Sequence, residues 1–139
     1  MMLMVIVATT ISTPPHIVHM MADDTGWNDL GYHSGSAFSP NIDALALDGV
    51  RLTNHHAFKV CSPSRSAFHT GRLPWQMGMY DNDGTAVSHF IDVDTKKLVV
   101  SRNFSLLPEL LAKRGYHSEA VGKWHLGYAH SAYLSLIHI

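Results

Sequence analysis

Short apolar runs separate amphipathic stretches along this chain. Residues 16–22, 50–54 and 116–121 are short and rich in apolar positions, which predicts three β-strands. Residues 106–115 form an amphipathic stretch with a proline near its start, basic residues in its last turn and a glycine just past its end. This order of residue types predicts a helix.

Another helix is predicted to begin after Ser39. Ser39 is a typical helix cap, Pro40 fits the first helical position, and Asp43 places an acidic residue in the first turn. Gly49 is expected to end the helix.

A third helix is predicted in the stretch that contains the only cysteine of the chain. Ser62 or Ser64 is expected to cap this helix, Pro63 to occupy its first position and Gly71 to end it. With a single cysteine in the chain, an intrachain disulfide is excluded.

The chemistry predicted for that stretch concerns Cys61 and Arg65. Cys61 is expected at the positive end of the helix, where an anionic group is stabilised. Arg65 lies four residues further on and can share the face of Cys61 if the helix begins early enough. The same pattern also fits an inert buried cysteine beside a solvated arginine. The residues alone leave both interpretations open.

Two adjacent carboxylates, Asp23 and Asp24, follow the first predicted strand, and Gly26 lets the chain turn away. Oxygen ligands at the carboxyl end of a strand are typical of ligand sites in open α/β sheets and suit Ca²⁺ or Mg²⁺. A helix cap or an Asx-turn is the alternative explanation.

The last candidate group is in the segment Gly122–Gly127. In extended geometry Lys123 and His125 point to one side and Trp124 to the other. A cation and an imidazole that face one way suit a bound oxyanion. If this motif stood alone, a snorkelling lysine and a core histidine would be the favoured explanation.

Composition restricts the class of function. The net charge of −1 gives no polyelectrolyte character, so binding to nucleic acid or to an anionic membrane surface is not expected. Residues 1–13 are uncharged, apolar and too short to span a bilayer. They fit a weak or truncated secretory signal, with a buried first strand as the alternative.

Three further patterns are given no catalytic or metal-binding role. The adjacent His55 and His56 are assigned no role, because neighbouring histidines need a third ligand to hold a metal. Residues 81–84, Asp-Asn-Asp-Gly, lack the spaced ligands of a calcium loop and are predicted to form a turn. Asn103 begins a glycosylation sequon that has meaning only in a secreted chain.

In this order, the motifs resemble the type I sulfatase family. The resemblance covers residues 16 to about 127 and runs through Asp-Asp-x-Gly, Ser-Pro-Asn-Ile-Asp, Gly-Val-Arg, Cys-Ser-Pro-Ser-Arg with Thr-Gly-Arg, Leu-Pro-Glu-Leu-Leu and Gly-Lys-Trp-His-Leu-Gly. Residues 22–31 are most similar to the arylsulfatase B group, which includes N-acetylgalactosamine-4-sulfatases. The implied fold is α/β and alkaline-phosphatase-like, with a mostly parallel sheet flanked by helices.

The resemblance also implies a role for each site residue. Asp23, Asp24 and the modified Cys61 would bind one Ca²⁺, in preference to Mg²⁺. Cys61 would be converted to formylglycine by the formylglycine-generating enzyme, and its hydrate would attack the sulfur of a sulfate ester.

Three further side chains have catalytic roles in the family pattern. Arg65 would stabilise the hydrate, Lys123 would bind both the hydrate and the sulfate, and His125 would take a proton from the second hydroxyl. The implied substrate is a sulfated carbohydrate or another sulfate ester, and the implied location is lysosomal or secreted.

The chain is expected to be an incomplete sulfatase domain. Members of the family are several times longer, so residues 14–130 are expected to form only the amino-terminal part and to have little or no activity alone. Residues 131–139 depart from the family pattern, and the last six match what one reading frame of a sequencing adapter would encode. We therefore expect those six to be an artefact.

Two other functions remain open at this point. One is hydrolysis of phosphonate or phosphate monoesters by a modified cysteine in the same superfamily. The other is a non-catalytic binding protein that keeps the first half of the fold.

Overall fold

The computed structural model describes residues 13–80, 100–101 and 103–127. The chain divides into two compact units, Met1–Ala57 and Phe58–Ile139. All of the predicted signal segment except Thr13, the turn at residues 81–84 and the tail at residues 131–139 lie outside the described residues. In the described part of the chain, no helix is both long and apolar enough to cross a membrane.

The described residues of the first unit form two helices, α1 (Gly31–Ser34) and α2 (Pro40–Asp48), and a 3₁₀ turn at Trp27–Asp29. The prediction for α2 is confirmed in its bounds, because Ser39 and Gly49 flank it.

The capping role predicted for Ser39 is wrong. Its side chain makes no capping bond to α2; instead, Ser39 Oγ accepts the Gly31 N–H at 2.8 Å and donates to Asp43 Oδ1 at 2.7 Å. Asp43 Oδ1 also accepts the Tyr32 N–H at 3.0 Å. Residues at the start of α2 therefore satisfy the first N–H groups of α1, which have no partner within a helix.

The second unit contains α3 (Cys61–Thr70), a 3₁₀ turn at Pro74–Gln76, and α4 (Leu107–Ala112). Helix α3 begins two positions earlier than predicted, with Val60 at the cap, so Pro63 is the third helical residue. That position tolerates proline because the N–H groups of the first turn have no partner within the helix. Gly71 ends α3 in the left-handed region at φ 67°, as predicted.

Helix α4 is shorter than the predicted stretch. The Leu106 N–H donates to Glu109 Oε2 at 2.8 Å, which stabilises the start of the helix. Lys113 is the carboxyl-terminal cap, so the basic residues follow α4 and do not form its last turn. Gly115 follows with φ 82°.

The hydrophobic core of the second unit supports the segment after α4. Five buried residues form it, with Phe104 and Trp124 packed against them: Met77, Met79, Val100, Leu106 and Leu126. The Val100 N–H donates to the Leu126 carbonyl at 3.2 Å. Leu126 is 2% exposed, and its burial fixes the segment that contains Lys123 and His125.

The three predicted strands are absent from the described residues, and the predicted sheet is not confirmed. Residues 16–22 and 50–54 contain no strand, and residues 116–121 contain only an isolated bridge at Glu119. Ile17 and Val18 are exposed rather than buried. An apolar run predicts the conformation that one segment favours, but a strand exists only where a second segment supplies its hydrogen-bond partners.

Candidate functional site

The amino terminus of α3 brings Cys61 and Arg65 onto one helix face. Cys61 is the first residue of α3, is partly exposed and is in no disulfide. Arg65 lies one turn later and is 9% exposed. Its Nη1 donates a hydrogen bond to the backbone carbonyl of Lys123. The guanidinium therefore joins α3 to the segment that follows α4.

Lys123 forms hydrogen bonds with both Cys61 and Arg65. Its Nζ donates to Cys61 Sγ at 3.4 Å, while its carbonyl accepts the bond from Arg65. The side chain is exposed, so the ammonium group lies at the surface beside the sulfur. Two cationic side chains and the positive end of a helix favour an anion at this position.

His125 approaches the same helix terminus through Ser62. Ser62 Oγ donates to the His125 carbonyl at 3.0 Å and lies 3.3 Å from His125 Nδ1. His125 has φ 56°, in the left-handed region, where a non-glycine residue costs about 1–2 kcal/mol. Ser62 was predicted only as a possible helix cap, because no local pattern indicates a partner 63 residues away.

Trp124 lies between Lys123 and His125 in sequence but packs on the core. Its indole Nε1 donates to the Gly127 carbonyl at 3.1 Å, and its ring lies 5.0 Å from that of His69. Lys123 and His125 are exposed, whereas Trp124 is half-buried. This is the orientation that the alternation predicts, although His125 departs from extended geometry.

Asp23 and Asp24 belong to the first unit and are both exposed. Asp24 has φ 52°, a left-handed conformation that aspartate adopts more readily than most residues. The chain then turns, with the Gly26 N–H donating to Asp29 Oδ2 at 2.7 Å. Of the six predicted site residues, Cys61, Arg65, Lys123 and His125 are thus brought together within the second unit.

The first unit also contains a cavity of about 700 Å³ that sequence reasoning missed. His55 and His56, which were assigned no role, line it together with Trp27 and His33. The rings of Trp27 and His33 stack at 3.7 Å, and His33 Nδ1 lies 2.7 Å from the Trp27 carbonyl. The residues that line this cavity are spread between positions 22 and 57, so no local sequence pattern indicated it.

Most of the chain matches a known protein family. The family model described as Sulfatase matches residues 15–133. The chain belongs to the sulfatase family. This confirms the family that the motif order predicts, and family membership implies the alkaline-phosphatase-like fold.

Curated sulfatases resemble the chain over most of its length. It is 44% identical to human N-acetylgalactosamine-6-sulfatase, over 83% of this chain and 22% of that protein. It is 40% identical to human arylsulfatase A, over 84% and 22% of the two chains, and 36% identical to mouse arylsulfatase J, over 86% and 19%.

These relatives are much longer than this chain and differ in their named activities. The chain spans about a fifth of the length of the curated sulfatases that it matches. The relatives include a 6-sulfatase and other arylsulfatases, so the predicted likeness to 4-sulfatases within the family is not resolved.

Proposed function

We propose that this chain is the amino-terminal part of a sulfuric ester hydrolase with residue 61 as its nucleophile. The observation that supports this most strongly is the contact of 3.4 Å between Lys123 Nζ and Cys61 Sγ, in a chain of the sulfatase family. Arg65 and Ser62 connect the same helix terminus to Lys123 and His125. These contacts support the proposal that residue 61 is the nucleophile and that Lys123 and His125 bind the anion and move a proton.

The proposed nucleophile is formylglycine, made from Cys61 by the formylglycine-generating enzyme. Cys61 is in no disulfide and is partly exposed, which is compatible with this modification. The aldehyde hydrate supplies one hydroxyl to attack sulfur and a second whose proton is removed when sulfate leaves. An ordinary alcohol at position 61 would have no such second hydroxyl, which is why the proposed mechanism requires the aldehyde.

The proposed metal is one Ca²⁺, for which Asp23 and Asp24 supply carboxylate oxygens and residue 61 an oxygen after modification. These are hard oxygen ligands, which fit Ca²⁺, and both carboxylates are exposed. The match to the Sulfatase family covers residues 15–133, which include Asp23, Asp24 and Cys61. Calcium supplies positive charge that favours the ionised nucleophile. Because Ca²⁺ takes six or more oxygens, further ligands are expected from the complete gene product.

The side chains of the second unit have three proposed roles. Lys123 Nζ donates to an oxygen of the sulfate and holds it in line with residue 61. Arg65 fixes the backbone of Lys123 and adds positive charge to the anion site. His125 accepts the proton from the second hydroxyl of the hydrate, a step for which imidazole is suited near neutral pH.

The proposed substrate is a sulfated carbohydrate or a related sulfate ester. The names of the relatives, which include N-acetylgalactosamine-6-sulfatase, support this class. The proposed location is lysosomal or extracellular, reached through the endoplasmic reticulum, where the exposed Asn103 would be available for glycosylation.

An assay of the complete gene product that contains this chain tests the proposal. After expression with the formylglycine-generating enzyme, it should hydrolyse an aryl sulfate much faster than the matching aryl phosphate and phosphonate. Faster hydrolysis of the phosphonate would support the rival superfamily activity. No hydrolysis of any ester, with residue 61 modified, would favour the non-catalytic alternative.

A further inference from the structure

Two residues of α3, one turn apart, hold the segment that contains His125. Arg65 donates to the carbonyl of Lys123, and Ser62 donates to the carbonyl of His125. Residues three positions apart lie on one helix face, so both bonds come from the same side of α3. They constrain the carbonyl groups on either side of Trp124.

The Ser62 hydroxyl is buried, so the loss of a hydrogen-bond partner is costly. Ser62 is 1% exposed, so solvent cannot readily replace a lost partner. Two groups of His125 lie close to Oγ, the carbonyl oxygen at 3.0 Å and Nδ1 at 3.3 Å. A hydroxyl has one proton to donate and two lone pairs with which to accept.

The chemistry of these groups selects one arrangement. The carbonyl oxygen can only accept, so it takes the single Ser62 proton at the shorter distance. Nδ1 can then bond to Oγ only as a donor, which requires a proton on Nδ1. In the neutral imidazole the lone pair is consequently on Nε2.

We propose that Ser62 is a positioning residue that holds His125 as its Nδ1–H tautomer and in its left-handed backbone conformation. Nε2 then becomes the nitrogen that accepts a proton during turnover, a consequence that depends on the proposed function. The tautomer itself does not depend on that function, because it results from the contacts between Ser62 and His125.

The tautomer can be measured directly in the complete gene product. Labelling histidine with ¹⁵N and recording two- and three-bond proton–nitrogen correlations identifies which ring nitrogen bears the proton. The His125 signals are assigned as those lost in His125→Asn. We expect a protonated Nδ1 and an unprotonated Nε2 in the neutral imidazole. A proton on Nε2 of the wild-type protein overturns the proposal, whether or not the protein is a sulfatase.

Kinetics provide the second measurement. Ser62→Ala should lower kcat for an aryl sulfate about tenfold, the effect of losing one modest hydrogen bond in the transition state, and leave KM within about twofold. Ser62→Thr keeps the hydroxyl and should recover most of kcat. Because Ser62 adjoins Cys61, the formylglycine content of each variant is measured by peptide mass and kcat is corrected for it.

Ser66→Ala is the matched control. Ser66 is also a buried serine of α3, 0% exposed, but its hydroxyl donates to the Pro63 carbonyl at 3.0 Å and has no bond to His125 in the described structure. Its kcat and the His125 tautomer should stay at the wild-type values. If Ser62→Ala matches Ser66→Ala in both measurements, the proposal is wrong. If Ser62→Ala does not fold, the wild-type tautomer decides alone.

Discussion

At the level of single residues, the arrangement around Cys61 depends most on Lys123. Its ammonium group is exposed and lies 3.4 Å from the Cys61 sulfur, while Arg65 holds its backbone. The side chain can therefore be removed without loss of the backbone bond that joins it to α3. This separates the chemical role of Lys123 from a structural one.

Lys123→Ala in the complete gene product is expected to lower kcat/KM for an aryl sulfate about a hundredfold. Removal of one preorganised donor to a reacting oxygen typically has an effect of this size. Lys113→Ala is the control, because Lys113 is an exposed cap of α4 and has no contact with Cys61 among the described residues. Equal rates for the two variants would exclude Lys123 from the site.

A second prediction concerns Cys61→Ser. A serine hydroxyl can attack sulfur, but it lacks the second hydroxyl from which His125 would remove a proton. The variant should therefore accumulate one covalently bound sulfo group and stop turning over. Intact-mass measurement after exposure to an aryl sulfate detects it. Continued turnover at the wild-type rate would contradict the proposed mechanism.

His19 in the first unit is expected to make stability depend on pH. Burial lowers the pKa of its imidazole below the ordinary value of 6.5. The unfolded chain then takes up a proton before the folded chain does as the pH falls, so the free energy of unfolding should decrease below pH 6.5 until the lowered pKa is passed. Urea unfolding at several pH values should show a shallower dependence in His19→Asn, and an unchanged one would contradict this.

At the level of elements, the end of α3 can be tested at Gly71. This residue has φ 67°, and a Cβ added to it would meet no atom within 4 Å. Gly71→Ala therefore carries only the backbone cost of the left-handed region and should lower the free energy of unfolding by about 1 kcal/mol. Gly71→Asn should cost less, because asparagine tolerates this region. Equal stability of Gly71→Ala and wild type would argue against the assigned end of α3.

Local signals predicted the helices better than the strands. Pro40 and Gly49 mark the bounds of α2 because proline and glycine act through their own backbone, whereas the side chain of Ser39 bonds elsewhere. The start of α3 was misplaced because serine at positions 62 and 64 mimics a cap, while its side chain bonds elsewhere. The strands could not be predicted from their own residues, because a strand needs partners that local sequence does not specify.

In the candidate site too, local motifs indicated the residues but not the contacts between distant parts of the chain. Motif order predicted Cys61, Arg65, Lys123 and His125, and these residues meet within the second unit. The link through Ser62 was missed because it joins residues far apart in sequence. A serine pattern contains no information about such a partner.

At the level of the whole molecule, the chain spans about a fifth of the length of its curated relatives. Several large apolar side chains are exposed, among them Val50 at 79% and Val121 at 97%.

We expect the 139-residue chain alone to hydrolyse aryl sulfate at a small fraction of the rate of the complete gene product, because the proposed Ca²⁺ needs more oxygens than Asp23, Asp24 and residue 61 provide. Equal rates per mole, measured with residue 61 modified in both, would refute this.

In the proposed enzyme, residue 61 becomes an aldehyde and does not stay a thiol. The mass of the peptide containing Cys61, taken from the complete gene product after expression with the formylglycine-generating enzyme, tests this directly. We expect the cysteine sulfur to be lost and an aldehyde to replace it, which a hydrazide probe also captures. An unmodified cysteine in that peptide would contradict the proposed nucleophile and, with it, the proposed hydrolase.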